Sequence, residues 1–128
     1  MTTPTPNASA AASAAAAATI YHNSRCSTSR KALELLQAHG LQPQVVEYLK
    51  TPLTRQQLAQ LIAASGLTVR EAVRTKEPLY EELQLAQADD AALLDAMAAH
   101  PVLLNRPFVV TAKGARLARP VDALLDIL

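Results

Sequence analysis

The chain has 128 residues, of which 50% are apolar and 18% charged, with a formal net charge of +1. That length fits one domain of the usual ~100–200 residues, and the apolar-to-charged balance excludes wholesale disorder. Near-neutral charge gives no general pull toward nucleic acid or an anionic membrane, so neither is expected as a partner. The single cysteine, Cys26, excludes an internal disulfide, a CxxC pair and a cysteine-rich zinc site. Any redox chemistry must borrow a second thiol from outside the chain.

Apolar residues are concentrated at one end. Residues 8–18 read ASAAASAAAAA, and the first charged residue is Arg25. This stretch lacks the basic start of a signal peptide and is shorter than the ~20 residues that span a bilayer. Residues 1–18 are therefore expected to be a disordered, low-complexity Ala/Ser-rich extension, and residues 19–128 a folded domain. A free thiol with no export signal makes the cytoplasm the expected compartment. No long unbroken apolar face is present, so a monomer is expected.

Thr19-Ile20-Tyr21-His22 has strand character. Asn23 to Cys26 forms a turn, and a helix starts at Ser27, with Ala32, Leu33, Leu35 and Leu36 as its apolar stripe. Gly40 ends it as a left-handed cap residue. Gln44 to Tyr48 is a second strand, which completes a βαβ unit with parallel strands and a right-handed crossover. Thr54 and Gln57 form a capping box for a helix over 54–65 that stops at Gly66. Thr68 and Glu71 form another, for a short helix to about Arg74 that Pro78 breaks. Asp89 or Asp90 caps a helix running to His100. Phe108–Thr111 and Ala115–Ala118 are strands joined by a hairpin at Lys113-Gly114. Pro120 suits the first position of a final helix, 121–128. Without the middle helices the order is βαβ–ββα. This is the layout of the thioredoxin-like α/β fold, a four-stranded mixed sheet with helices on its faces and a helical insertion between strands 2 and 3. In that layout Pro107, just before the third strand, is the expected cis proline beside the active site.

Cys26 lies where the first strand meets the first helix. Helix-start N–H groups are unpaired and carry the positive end of the dipole. They push a thiol toward thiolate, below its free pKa of ~8.5, and also suit an oxyanion. An inert, buried cysteine is the competing reading. The polar company of Cys26 (Asn23, Ser24, Arg25, Ser27, Thr28, Ser29) favours a functional thiol. His22 sits four residues before it and could be either a partner or a satisfied strand-end histidine. His39 and His100 lie near helix ends, and the histidine spacing matches no metal-ligand pattern; no metal or bound cofactor is expected. Arg74, Arg106 and Arg119 each adjoin a loop or a proline. Gathered near Cys26, their planar forks would clamp a tetrahedral oxyanion.

The segment Tyr21-His22-Asn23-Ser24-Arg25-Cys26-Ser27-Thr28-Ser29-Arg30 resembles the YHNPxCGTSR-type motif of the glutaredoxin-dependent arsenate reductases. Three further stretches resemble that family in the same order: Val46 to Pro52, His100 to Val110, and Arg119-Pro120 through Leu128. The resemblance covers residues 19–128. Ser24 stands where the family usually has proline, and Ser27 where glycine is common.

The resemblance implies that Cys26 attacks arsenate to form a thiol–arsenate adduct. Glutathione, the co-substrate, then enters, arsenite leaves, and glutaredoxin reduces the mixed disulfide. It implies that Arg74, Arg106 and Arg119 bind the oxyanion, that Ser29 also binds it, and that His22 tunes the cysteine. Two alternatives share the fold. One is a glutathione-dependent thiol reductase with another substrate, whose members commonly lack parts of the arginine set. The other is a redox-related regulator. Regulators that sense oxidation directly often use a CxxC pair, and residue 29 here is serine.

Overall fold

The computed structural model describes residues 18–128. The expected extension lies outside the described residues except for Ala18, which instead opens the first strand and is buried. The strands are β1 (Ala18–Tyr21), β2 (Gln44–Val46), β3 (Phe108–Thr111) and β4 (Gly114–Leu117). They form one sheet in the order β2-β1-β3-β4. β1 runs parallel to β2 and antiparallel to β3, and β3 and β4 form the antiparallel hairpin. This is the thioredoxin-like arrangement expected from the order of elements.

Helix α1 (Ser27–Ala38) makes the β1–β2 crossover. Its end shows why Gly40 is there. The Gly40 and Leu41 N–H groups donate to the Gln37 and Leu36 carbonyls, and Gly40 has φ of +81°. That paired bonding needs a left-handed residue, which glycine adopts without steric cost. Helix α2 (Arg55–Ala64) opens with the expected reciprocal Thr54–Gln57 box, at 2.9 and 3.1 Å. Helix α4 (Asp90–Ala99) is capped by Asp89, whose carboxylate accepts from the Ala92 N–H at 2.8 Å.

Because neighbouring strand residues point to opposite faces, the sheet separates two cores. Ile20 and Val109 pack with Ala32 and Leu36 of α1 and with Leu124 and Ile127 on one side. Phe108 and Ala115 face Leu58, Leu61 and Ile62 of α2 and Leu93, Leu94 and Met97 of α4 on the other.

The structure corrects five expectations. The hairpin turns at Ala112-Lys113 rather than Lys113-Gly114, so β4 starts at Gly114 and ends at Leu117 rather than Ala118. β2 ends at Val46 rather than Tyr48, because the Glu47 carbonyl turns to accept from the Lys50 and Thr51 N–H groups. The Thr68–Glu71 box forms, but it opens only a 3-10 turn, Arg70–Ala72. Pro78, expected only as a breaker, is the first residue of a short helix α3 (Pro78–Glu82), a position where its missing N–H costs nothing. The C-terminal helix is a 3-10 helix over Val121–Ile127, and Pro120 precedes it rather than starting it. Val121, Leu124 and Ile127 are spaced three apart, which suits a helix of three residues per turn.

Leu36 is fully buried and fixes α1 to the sheet. Leu36→Ala should lower stability by about 2–5 kcal/mol, and Thr54→Ala, which removes only a cap, by about 1 kcal/mol. Urea unfolding checks both, and a shift for Leu36→Ala no larger than that for Thr54→Ala would contradict this view of the core.

Candidate active site

The chain leaves β1 at Tyr21 and enters α1 at Ser27, and the five residues between form a tightly stitched loop. The His22 N–H donates to the Val46 carbonyl at 2.8 Å, which ties the loop to the edge strand. The Asn23 side-chain oxygen accepts from the Arg25 N–H at 3.0 Å, and the Asn23 carbonyl from the Cys26 N–H at 2.9 Å. Asparagine commonly makes such local turns. Arg30 reaches back from α1 to donate to the Ser24 carbonyl at 2.8 Å. Serine in place of the family's usual proline at position 24 thus sits in a loop closed by several bonds.

Cys26 is the N-cap residue of α1, half-buried, with extended backbone (φ −94°, ψ 121°). Burial pushes its thiol pKa up. The Ser29 N–H, the Arg106 guanidinium and the Thr28 N–H more than offset that, so the thiol lies below its ordinary value. This is the electrostatic setting expected of a helix-start cysteine.

Two of the three arginines meet at the sulfur. The Arg106 guanidinium charge acts on the thiol and favours its ionised form. Arg119 Nη1 lies 4.0 Å from Cys26 Sγ and donates to the Arg106 carbonyl at 3.0 Å. The β3–β4 hairpin explains the convergence, since Arg106 precedes β3, Arg119 follows β4, and Phe108 pairs with Leu117. The Arg106–Pro107 peptide is cis, as expected, and the Pro107 carbonyl accepts from the Ala118 N–H at 2.9 Å.

Arg74 comes from the helical insertion. Val73 bridges Leu104, the Arg74 N–H donates to the Leu103 carbonyl at 2.7 Å, and the Asn105 N–H donates to the Ala72 carbonyl at 2.8 Å. These bonds hold Arg74 beside the approach to Arg106. Arg74 and Arg119 line one open cavity of about 250 Å³ with Thr75, Lys76 and Asn105. Arg74 also pairs with Glu77 at 3.1 Å.

His22 and Ser29 pair with each other. Both are buried, and His22 Nδ1 shares a 2.7 Å hydrogen bond with Ser29 Oγ. Ser29 Oγ also accepts from the Asn23 N–H at 3.1 Å. The Ser29 hydroxyl therefore faces the interior, and it is the Ser29 backbone N–H that favours the thiolate. Burial lowers the His22 pKa; the Glu47 carboxylate opposes this and Arg30 adds to it. A ring held neutral supplies no cation to the thiol, so any tuning by His22 passes through Ser29.

Sequence reasoning missed Tyr48. It is 1% exposed, and its phenol feels the charges of Arg106, Cys26 and Arg74 and the side chain of Asn23. Its only signal was the end of an apolar strand pattern, which marks burial and not the direction of a hydroxyl. Lys76 and Asn105 also went unnoticed, because ordinary loop polarity singles out neither.

The ArsC family model matches residues 21–127. The chain is 53% identical to an arsenate reductase of Rhizobium meliloti (strain 1021) over 112 residues, which is 86% of this chain and 80% of the relative. It is 48% identical to an arsenate reductase of Escherichia coli (strain K12), over 86% of this chain and 79% of that protein. The solved arsenate reductase from Vibrio cholerae superposes with a TM-score of 0.85 at 46% identity, covering 89% of this chain and 99% of that one. A family match that spans the whole Cys26 loop, the insertion bearing Arg74 and the Arg106–Arg119 hairpin makes this chain a member of the ArsC family.

Proposed function

We propose that this protein reduces arsenate to arsenite, with Cys26 as nucleophile and with glutathione and glutaredoxin supplying the electrons. The carrying observation is the half-buried Cys26 thiol, held low by helix-start N–H groups and Arg106, with Arg119 4.0 Å from its sulfur. Guanidiniums bind and orient the tetrahedral anion, while the sulfur is already biased toward thiolate. Preorganised donors beside the reacting oxygens then stabilise charge without reorganisation during the step.

Counted in neutral species, the Cys26 thiol and arsenic acid condense to a thiol–arsenate adduct and water. Glutathione attacks the adduct sulfur. The S–As bond breaks, its electron pair stays on arsenic, and arsenious acid leaves as Cys26 becomes a mixed disulfide. Arsenic goes from +5 to +3, and the two sulfurs together lose two electrons. Glutaredoxin, using a second glutathione, returns Cys26 to the thiol. One cysteine in the chain suffices because the other two thiols are glutathione's. A working thiol of this kind suits a reducing cytoplasm.

A coupled assay with glutathione, glutaredoxin, glutathione reductase and NADPH should consume NADPH only when arsenate and glutaredoxin are both present. Consumption that ignores arsenate would instead favour a thiol reductase with another substrate. Cys26→Ser should abolish arsenate turnover while its urea unfolding stays near that of the parent. Arg106→Lys keeps the charge but loses the fork, so kcat/KM should fall about tenfold or more; parent-like kinetics would remove Arg106 from the anion clamp. The rate of Cys26 alkylation should rise with a midpoint below the ~8.5 of a free thiol, and Arg106→Gln should move that midpoint upward.

A further inference from the structure

Among the described residues two buried side-chain polar atoms have no hydrogen-bond partner, the Tyr48 hydroxyl and Arg106 Nε. Buried polar groups are nearly always paired, and each exception calls for an explanation. Here both exceptions belong to one neighbourhood. The Tyr48 ring packs in the core that also holds Leu103, Leu104 and Phe108, at the turn after β2. Its hydroxyl is within electrostatic reach of Arg106, Cys26 and Arg74, with Asn23 also acting on it. Asn23 acts on the phenol, but no hydrogen bond closes between them. Packing alone does not account for the phenol, because phenylalanine would fill the same space and bury no hydroxyl.

The geometry points to Tyr48 as a further oxyanion-binding residue, whose hydroxyl donates to the same tetrahedral anion that Arg106 holds beside Cys26. This rests on the reading of Cys26 as a nucleophile toward such an anion. The Tyr48 hydroxyl and the Arg106 Nε–H are both donors, and neither finds an acceptor among the described residues. An anion oxygen between them would accept from both. Burial raises the Tyr48 pKa, with Arg106 and Asn23 opposing, so the phenol keeps the proton it needs to donate at neutral pH.

Tyr48→Phe removes only the oxygen, and four readouts judge it against the parent. The first is the arsenate concentration that half-protects Cys26 from alkylation, which needs neither glutathione nor glutaredoxin. It should rise about tenfold or more, as expected for losing a hydrogen bond to a charged group. In the coupled assay kcat/KM should fall about 10–100-fold. Without arsenate, the pH midpoint of alkylation should not move, and urea unfolding should be unchanged or shifted to higher urea. Unchanged half-protection overturns the inference. So does a shifted alkylation midpoint at constant half-protection, which would make the thiolate the hydroxyl's partner. Destabilisation in urea likewise overturns it, because it would make the hydroxyl a structural group. A parent protein that arsenate protects but that shows no glutathione-dependent turnover sinks the proposed electron route, and the protection comparison still judges Tyr48.

Discussion

The buried hydrogen bond between His22 Nδ1 and Ser29 Oγ, 2.7 Å long, is the tie on which the site depends. It joins the residue just past β1 to the first turn of α1, across the loop that carries Cys26. The Asn23 N–H donates to the same oxygen, so three points of the chain are pinned at one atom. Without this tie the helix start could pivot about the strand end. With it, the Thr28 and Ser29 N–H groups keep their bearing on the sulfur. A neutral histidine suits this task better than a charged one, because imidazolium buried at the helix start would meet the positive end of the dipole.

The cations are organised by separate means. Arg106 and Arg119 are set by the β3–β4 hairpin, and Arg74 by backbone bonds between the insertion and the segment before β3. Three guanidiniums in one small region repel one another. The fold contains that repulsion by pairing Arg74 with Glu77 and by giving Arg119 the Arg106 carbonyl. The charge left facing the sulfur suits a multiply charged anion more than a neutral ligand.

Much of this was legible in the residues. Strand alternation, the Gly40 and Gly66 stops, the Thr54–Gln57 box and the hairpin signal each have a local cause, and local causes can be read from local sequence. The helix-start position of Cys26 followed from the same reasoning. The arginines were legible only singly, beside loops and prolines, since only tertiary pairing brings residues 74, 106 and 119 together, and their joint role rested on resemblance. The direction of a side chain was the least legible property. Ser29 lies one turn into α1, where either an inward or an outward hydroxyl fits the sequence, and burial against His22 settles it. Tyr48 reads as a strand residue, whereas the structure turns the backbone at Glu47 and carries the phenol into the interior. The last helix was legible but its type was not, because apolar residues three apart fit two helical periods over so short a span.

The β3–β4 hairpin also limits how this chain can vary in length. Arg106 and Arg119 are separated by two paired strands with a turn at Ala112-Lys113. Inserting or deleting one residue within either strand would shift the register by about 3.3 Å and turn the following side chains to the opposite face. Phe108 and Val109, which serve opposite cores, would exchange environments, and the two guanidiniums would part. The hairpin is thus a fixed-length ruler for charge spacing, and insertions or deletions compatible with the site belong at its turn or in the helical region between residues 75 and 89.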